Sequence, residues 1–513
     1  LSDQWFLNYN DKEWKEKAKE AVARMEIYPE AARQYFLTVI DWLKEWACAR
    51  TTGFGTPLPW SEGWIVETLS DSTIYMAFYT INKHIREYNI KPESLTREVF
   101  DYLFFGKGET ITVSKLSGIS NKLLESMRNE FLYWYPFDLR VSAKELVPNH
   151  LTFCIFHHAA LFPRELWPRA MGVNGMLMIE GKQMHKSKGN FITMKNAVDR
   201  YGADATRCAL LLAAEGMDDP DWRADNVIDV QNKLESLARF AEDILVTAKN
   251  DEYQHLEQWL LSKLQQQIAA VTVSLDELKT RTALQVALFE VWNNIRWYTQ
   301  RKGKTDSTTL REVVKVWLRL LAPFAPFTCE EVWSKSGEAG FISTAEWPKF
   351  NGGLVDVIAE EQENFIIDLI DDVLNILKAT KISPKHVWVY AAASWKWHVY
   401  LKILERALSG EVKIGDVMRD FAADKDLKPH MKEIANLVPR ITKMLTKLST
   451  EQKRNIVKTD VMDEKKVAED AICFLRDRFD AEVSVYIEDD ANRYDPKNRA
   501  GMALPRQPAI YIE

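Results

Sequence analysis

At 513 residues the chain exceeds one compact core, and a prior of roughly 100 to 200 residues per domain predicts about three domains. Hydrophobic residues at 46%, charged residues at 27% and 18 Trp, with no long Gly, Ser or Pro tract, exclude a disordered or fibrous chain. A net charge of -7 excludes a surface that coats nucleic acid throughout, because phosphate binding needs an excess of Lys and Arg, though a local basic patch stays open.

In chain order, residues 1 to about 105 are dense in aromatics and helix formers, interrupted by the Gly53/Gly55 pair and Pro57-Leu58-Pro59. The opening at Leu1 is already rich in aromatic core formers, which predicts a start inside a domain. Leu139 to Val141 and Met171 to Ile179 read as buried strands, with a helix from His150 to Phe162 between them. That order predicts half of a doubly wound α/β fold.

After Asp221 the period becomes helical over Val227 to Thr247, His255 to Leu278, Ala283 to Gln300 and Leu310 to Leu321, which predicts a bundle. Gly and Pro in 337 to 353 mark a boundary. Beyond it the pattern gives a helix over Ile358 to Ala379, a strand over Val387 to Tyr390, further helices to about Leu448, and a closing helix with two strands. The expected domains are therefore 1–222, 223–353 and 354–513.

Five scattered cysteines form no CxxC pair or metal-spaced cluster, which predicts reduced thiols and no protein-bound zinc. With neither a run of about 18 apolar residues nor a secretory leader pattern, the expected location is the cytoplasm, away from membrane.

The sharpest local signal is GKQMHKSKGN at 181 to 190. Lys182, His185, Lys186 and Lys188 crowd beside Gly181 and Gly189, which suits either a polyanion such as triphosphate or a solvated charge run. This segment resembles the KMSKS loop of class I aminoacyl-tRNA synthetases. Met184, Lys186 and Ser187 fit that motif, while Gln183 stands for its first lysine and His185 for its serine. GADATR at 202 to 207 falls where that family has similar residues. The resemblance makes Lys186 and Ser187 catalytic, with Lys186, Met184 and His185 at the ATP. Lys186 would stabilise charge on the departing pyrophosphate, worth on the order of 3 kcal/mol.

Four further segments resemble the leucyl enzymes of archaea and eukaryotic cytosol: WACARTTGFGTPLPW (46 to 60), SDSTIYMA within 64 to 80, WYPFDLRVSAKELVPNHL (134 to 151) and LAPFAPFTCEEVW (321 to 333). The similarity is strong over about 1 to 350 and looser beyond. It implies the second half of a class I Rossmann-type catalytic domain, a helical anticodon-binding bundle and a small α+β C-terminal domain. The implied reaction joins leucine to ATP, with Mg2+, and then to leucine tRNA.

Read alone, Glu145 is either a surface carboxylate or, just after a strand, an acceptor for ribose hydroxyls; the resemblance gives it the ATP ribose. His150 alone is a packed or capping histidine, Leu69 a core leucine and Ser72 a turn or cap. The resemblance places all three around leucine. Asp218, Asp219 and Asp221 read as helix N-capping and linker solvation rather than a metal site.

Arg296, Arg301 and Lys302 lie among Trp292, Trp297 and Tyr298, a mixture that suits either RNA contact or an amphipathic core helix. From Lys425 to Lys458 nine Lys/Arg stand against three Asp/Glu, with Arg440, Lys443 and Lys447 expected on one helical face. That face is an RNA-backbone contact or a solvated surface, and the family's C-terminal region contacts the tRNA elbow and variable arm.

None of the nine histidines lies in the HIGH tetrapeptide that class I enzymes also need, and the editing insertion is absent. The 513 residues are therefore expected to be either a piece of a longer enzyme or one subunit of a split one, whose partner would be a separate N-terminal half carrying HIGH, and the chain alone is expected to be inactive. A tRNA-binding paralogue without catalysis is the alternative, carried by the altered QMHKS loop.

Overall fold

In a computed structural model the structure describes residues 4–184, 189–247, 254–303, 307–410 and 413–513. The chain divides into two compact units. The first comprises Leu1–Ser236, Val271–Gln285 and Phe324–Thr328, and the second Leu237–Ala270, Val286–Pro323 and Cys329–Glu513.

Strands of the first unit are β1 (Phe6–Asn8), β2 (Glu26–Tyr28), β3 (Glu45–Ala47), β4 (Ala49–Arg50), β5 (Ile65–Val66), β6 (Arg140–Ala143), β7 (Ala170–Asn174), β8 (Met178–Ile179), β9 (Lys182–Gln183) and β10 (Asp221–Trp222). A parallel sheet in the order β2-β7-β6 organises the unit, with Arg140 opposite Met171 and Glu26 opposite Ala170. Central β7 is buried from Ala170 to Val173, as a parallel strand covered on both faces must be.

Parallel neighbours need a crossover, and the chain from β6 to β7 supplies one. A π-turn over Val147–Leu151 leads into the helix Thr152–Leu161. Phe153, Cys154, Ile155, Phe156 and Ala159 bury that helix nearly all round, so it sits in the core rather than on it.

The expected single strand from Met171 to Ile179 is two strands in different sheets. Gly175 marks the break, because a Cβ there would overlap the Asp218 carbonyl oxygen. Beyond the break, β8 pairs with β10 and β9 instead.

The second unit contains the helices Val291–Lys302, Thr308–Leu321 and Val357–Thr380. The run expected over Ala283 to Gln300 enters the first of these through a π-turn at Val286–Glu290. A mixed sheet of β11 (His386–Ala391), β12 (Glu482–Ile487) and β13 (Ala509–Ile512) has the order β12-β11-β13, with β12 parallel and β13 antiparallel to β11. Its core joins Phe365, Ile366 and Leu369 to Val387, Tyr400 and Ile441. Among the described residues no helix is long and apolar enough to cross a membrane.

Candidate active site and tRNA-facing surfaces

Around the short helix Thr68–Asp71 the structure brings together the three residues expected near leucine. Glu67 caps this helix with both oxygens, accepting from Leu69 N at 2.9 Å and Ser70 N at 2.8 Å. The Ser72 hydroxyl donates to Leu69 O at 3.1 Å. His150, buried in the turn that opens the crossover, donates from Nε2 to the Ser72 carbonyl at 3.3 Å.

That donation leaves Nδ1 with a lone pair, which faces Arg140 Nη2 at 3.3 Å. Burial first, and then the Arg140 charge, hold His150 below its ordinary pKa, with the Ser72 bond opposing. It stays neutral at pH 7. Leu69 is half-buried against the core.

Glu145 projects exposed from the turn Lys144–Leu146, directly after the C-terminal end of β6. Ligands gather at that end of a parallel sheet. Side chains alternate along β6, so Val141 faces away from Arg140 and its histidine. On Val141's side opens a cavity of about 1060 Å³, lined by Ile27, Gly172, Leu210 and Leu278 among others. None of the expected ligand residues lines it.

His185, Lys186 and Ser187 lie outside the described residues. The stem of their loop is described. Met184 is half-buried and lines a cleft with Ile179, Ile192 and Trp222. Asn190 Nδ2 donates to the Gln183 carbonyl at 2.7 Å, tying one end of the loop to the other.

The acidic turn has a different task from the capping and solvation expected of it. Asp219 accepts from Met176 N at 2.7 Å and pairs with Lys144 at 2.6 Å, while Asp221 accepts from Gly181 N at 2.8 Å and from Arg223 Nε at 2.9 Å. These carboxylates brace the stem. The Lys144 bond foremost holds Asp219 below the usual carboxylate range, and the Gly181 N–H does so for Asp221.

In the second unit, Arg296 is exposed, but Arg301 and Lys302, open to either RNA contact or a core-helix role from sequence, face inward. Arg301 Nε lies 2.5 Å from Glu363, whose side chain is 1% exposed. Lys302 pairs with Glu257, itself bound by the Tyr298 hydroxyl at 2.6 Å. A buried carboxylate without its cation would be costly, so these pairs hold the helix in place.

Arg440 and Lys443 are exposed on the helix Met431–Leu445. Lys447 is exposed too, but it lies past the helix end, not on the same helical face. The helix stops because Lys447 N turns back to Met444 O and Ser449 then starts a new helix with a capping box.

The model "tRNA synthetases class I (I, L, M and V)" matches residues 1–223, and the model "Anticodon-binding domain of tRNA ligase" matches residues 257–389. Over 100% of this chain, leucine–tRNA ligases of Methanococcoides burtonii and Pyrococcus abyssi are 39% and 40% identical, and the match covers 53% and 52% of them. The chain belongs to the class I aminoacyl-tRNA synthetase family. It spans about half the length of these synthetase relatives. Among solved synthetases, a ternary complex of Agrobacterium radiobacter LeuRS with tRNA and LeuAMS resembles 72% of this chain and 39% of that one, with a TM-score of 0.45 and 18% identity.

Sequence reasoning named Leu69, Ser72 and His150 as candidates but not Glu67 and Arg140, which contact Leu69 and His150, nor the neighbouring Thr73 and His157. Glu67 carries the one local signal, a carboxylate immediately before a short helix.

Proposed function

We propose that this chain supplies part of a leucine–tRNA ligase, which activates leucine with Mg-ATP and transfers it to leucine tRNA. What carries the reading is the grip of His150 on Ser72 beside Leu69, close in sequence to an exposed Glu145 at the C-terminal end of a parallel strand. In this reading residues 1–222 hold the nucleotide fold, 223–353 meet the anticodon arm, and 354–513 contact the rest of the tRNA in the cytoplasm.

Glu145 receives the ribose, Met184 and His185 border the nucleotide, and Lys186 with Ser187 acts on the phosphates. Arg296, Arg440, Lys443 and Lys447 contact tRNA phosphates, whereas Arg301 and Lys302 keep their carboxylates. A HIGH segment outside these 513 residues, in the same chain or in a separate N-terminal half, completes the ATP site. Its support is β6, which forms one edge of the sheet with Val141 56% exposed. A second reading, a tRNA-binding paralogue without catalysis, is favoured by one observation: Gln183 occupies the place of the motif's first lysine.

Leucine-dependent exchange of pyrophosphate into ATP separates the two. This chain alone should give none, since phosphate contacts cannot be assembled from one side. With the HIGH-bearing half of a relative added, exchange should appear, and Lys186→Ala should lower it roughly 100-fold or more with tRNA affinity unchanged. Exchange that ignores Lys186→Ala, or never appears, sinks the catalytic reading.

A further inference from the structure

Seven residues beyond the leucine-site histidine, about two helix turns, a second imidazole reaches the same turn of chain. Thr73 follows Ser72 directly and is fully buried. Its hydroxyl donates to Ser70 O at 2.8 Å and also lies 2.5 Å from His157 Nδ1. A threonine has one hydroxyl proton. With that proton on Ser70 O, the Thr73 oxygen must accept from His157, so Nδ1 carries the imidazole hydrogen.

Nε2 of His157 is then an acceptor, and the hydroxyl of Tyr9, buried and 3.1 Å away, is its donor. Stacking on Tyr9 and Trp14, with interplanar angles of 23° and 16°, fixes the plane of the ring. Desolvation foremost, and then the nearby His150, push His157 down to about 4, so this arrangement stays neutral.

His150 has the opposite tautomer, with Nε2–H on the Ser72 carbonyl. Two imidazoles from one stretch of chain thus hold consecutive residues, one by its carbonyl and the other by its hydroxyl. The Ser72 carbonyl bond is long, and the Thr73 bond is short.

We propose that His157 is a positioning residue for the amino-acid side of this site, holding Ser72 and Leu69 in register through Thr73 and itself aligned by Tyr9. This rests on the leucine reading of Leu69, Ser72 and His150 given above. His157 need not touch the amino acid. Its effect falls on how well the pocket is formed before leucine arrives, so it acts on leucine binding rather than on phosphate chemistry.

The hydrogen-bond half is tested on this chain alone by correlating ring nitrogens with ring protons in its NMR spectrum. His157 should be the Nδ1–H tautomer at pH 7, and an Nε2–H ring overturns the proposal. The functional half uses pyrophosphate exchange by the chain with its HIGH-bearing half. Thr73→Val and His157→Gln should each raise KM for leucine roughly tenfold, leaving kcat and KM for ATP within about twofold.

His157→Asn is the rescue, because its amide nitrogen falls near the place of Nδ1 and still donates to Thr73; its KM for leucine should stay within about threefold of the parent. If Asn and Gln lose equally, or if kcat falls with KM unchanged, His157 is only packing and the proposal is overturned. If the parent pair does not exchange, the leucine reading fails and takes the proposal with it. If the parent exchanges and Thr73→Val leaves KM for leucine unchanged, the proposal alone fails.

Discussion

The Val291–Lys302 helix and the Met431–Leu445 helix are both amphipathic and both carry Arg and Lys toward their C-terminal ends, yet the cations meet different surroundings. In the first, Arg301 and Lys302 close on Glu363 and Glu257. In the second, the side chains of Arg440 and Lys443 have no ion-pair or hydrogen-bond partner among the described residues. The difference lies in what faces each helix. Glu363 is 62 residues from Arg301 along the chain, and Glu257 is 45 from Lys302, so no local pattern reveals either partner. A basic helix is a candidate nucleic-acid surface only after buried carboxylates have taken their share.

The largest effect should come from breaking the inward pairs. Glu363 also accepts from Trp297 Nε1 at 2.7 Å, and Arg301 is 7% exposed, so Glu363→Ala leaves a buried guanidinium and an indole N–H without their acceptor. Urea unfolding followed by tryptophan fluorescence should show a loss of about 3 to 5 kcal/mol, of which replacing both Arg301 and Glu363 by Met restores part. Wild-type stability in Glu363→Ala would mean that the pair holds nothing.

Acid should expose the same pair. Burial raises the Glu363 pKa, but the bonds from His255 and Arg301, the Arg301 charge and Trp297 outweigh it and leave the carboxyl below its ordinary value. A depressed pKa contributes stability above the unfolded value of about 4.3 and loses it as pH falls toward the folded value. Below about pH 4 the wild type should therefore lose stability more steeply than Glu363→Gln.

The outward cations should behave in reverse. Reversing Arg440, Lys443 and Lys447 to Glu should change folding stability by less than about 1 kcal/mol. Affinity for leucine tRNA should fall, and its log-log salt slope should flatten by roughly 2 to 3 if each side chain meets a phosphate. A leucine tRNA should outcompete one with a short variable loop if the surface reads shape. Equal binding of both, unmoved by the reversals, would leave the patch as a solvated face.

Periodicity made the bundle helices and the strand, helix, strand order around β6 and β7 legible, because those depend on which residues are buried. Long-range approaches were not legible. The break at Gly175 is set by Asp218, 43 residues on, and the strand pattern runs straight through it. His157 is fixed by Tyr9 and Thr73, at separations of 148 and 84 residues, and its sequence neighbourhood reads as an ordinary core helix. Leu69, Ser72 and His150 were named as leucine-site candidates only through family resemblance, since alone each reads as core, turn or cap. Lys447 shows the smaller failure, where correct spacing was assigned to a helix that ends two residues earlier.

The smallest effect, and the finest cut through the comparison, belongs to Arg296. It shares its helix with Arg301 and Lys302 but lies five and six residues before them, about 140° and 120° away around an axis with 3.6 residues per turn. Those angles put it on a face their carboxylates do not reach, and it is exposed. Arg296→Ala should therefore alter stability by no more than about 0.5 kcal/mol. If that face meets one tRNA phosphate, the salt slope should fall by roughly 1, with affinity weakened about equally for every tRNA, because a phosphate contact carries no sequence information. An unchanged slope would confine RNA contact to the 425–458 patch, and a loss of stability near that of Glu363→Ala would show that Arg296 shares the inward role of its neighbours.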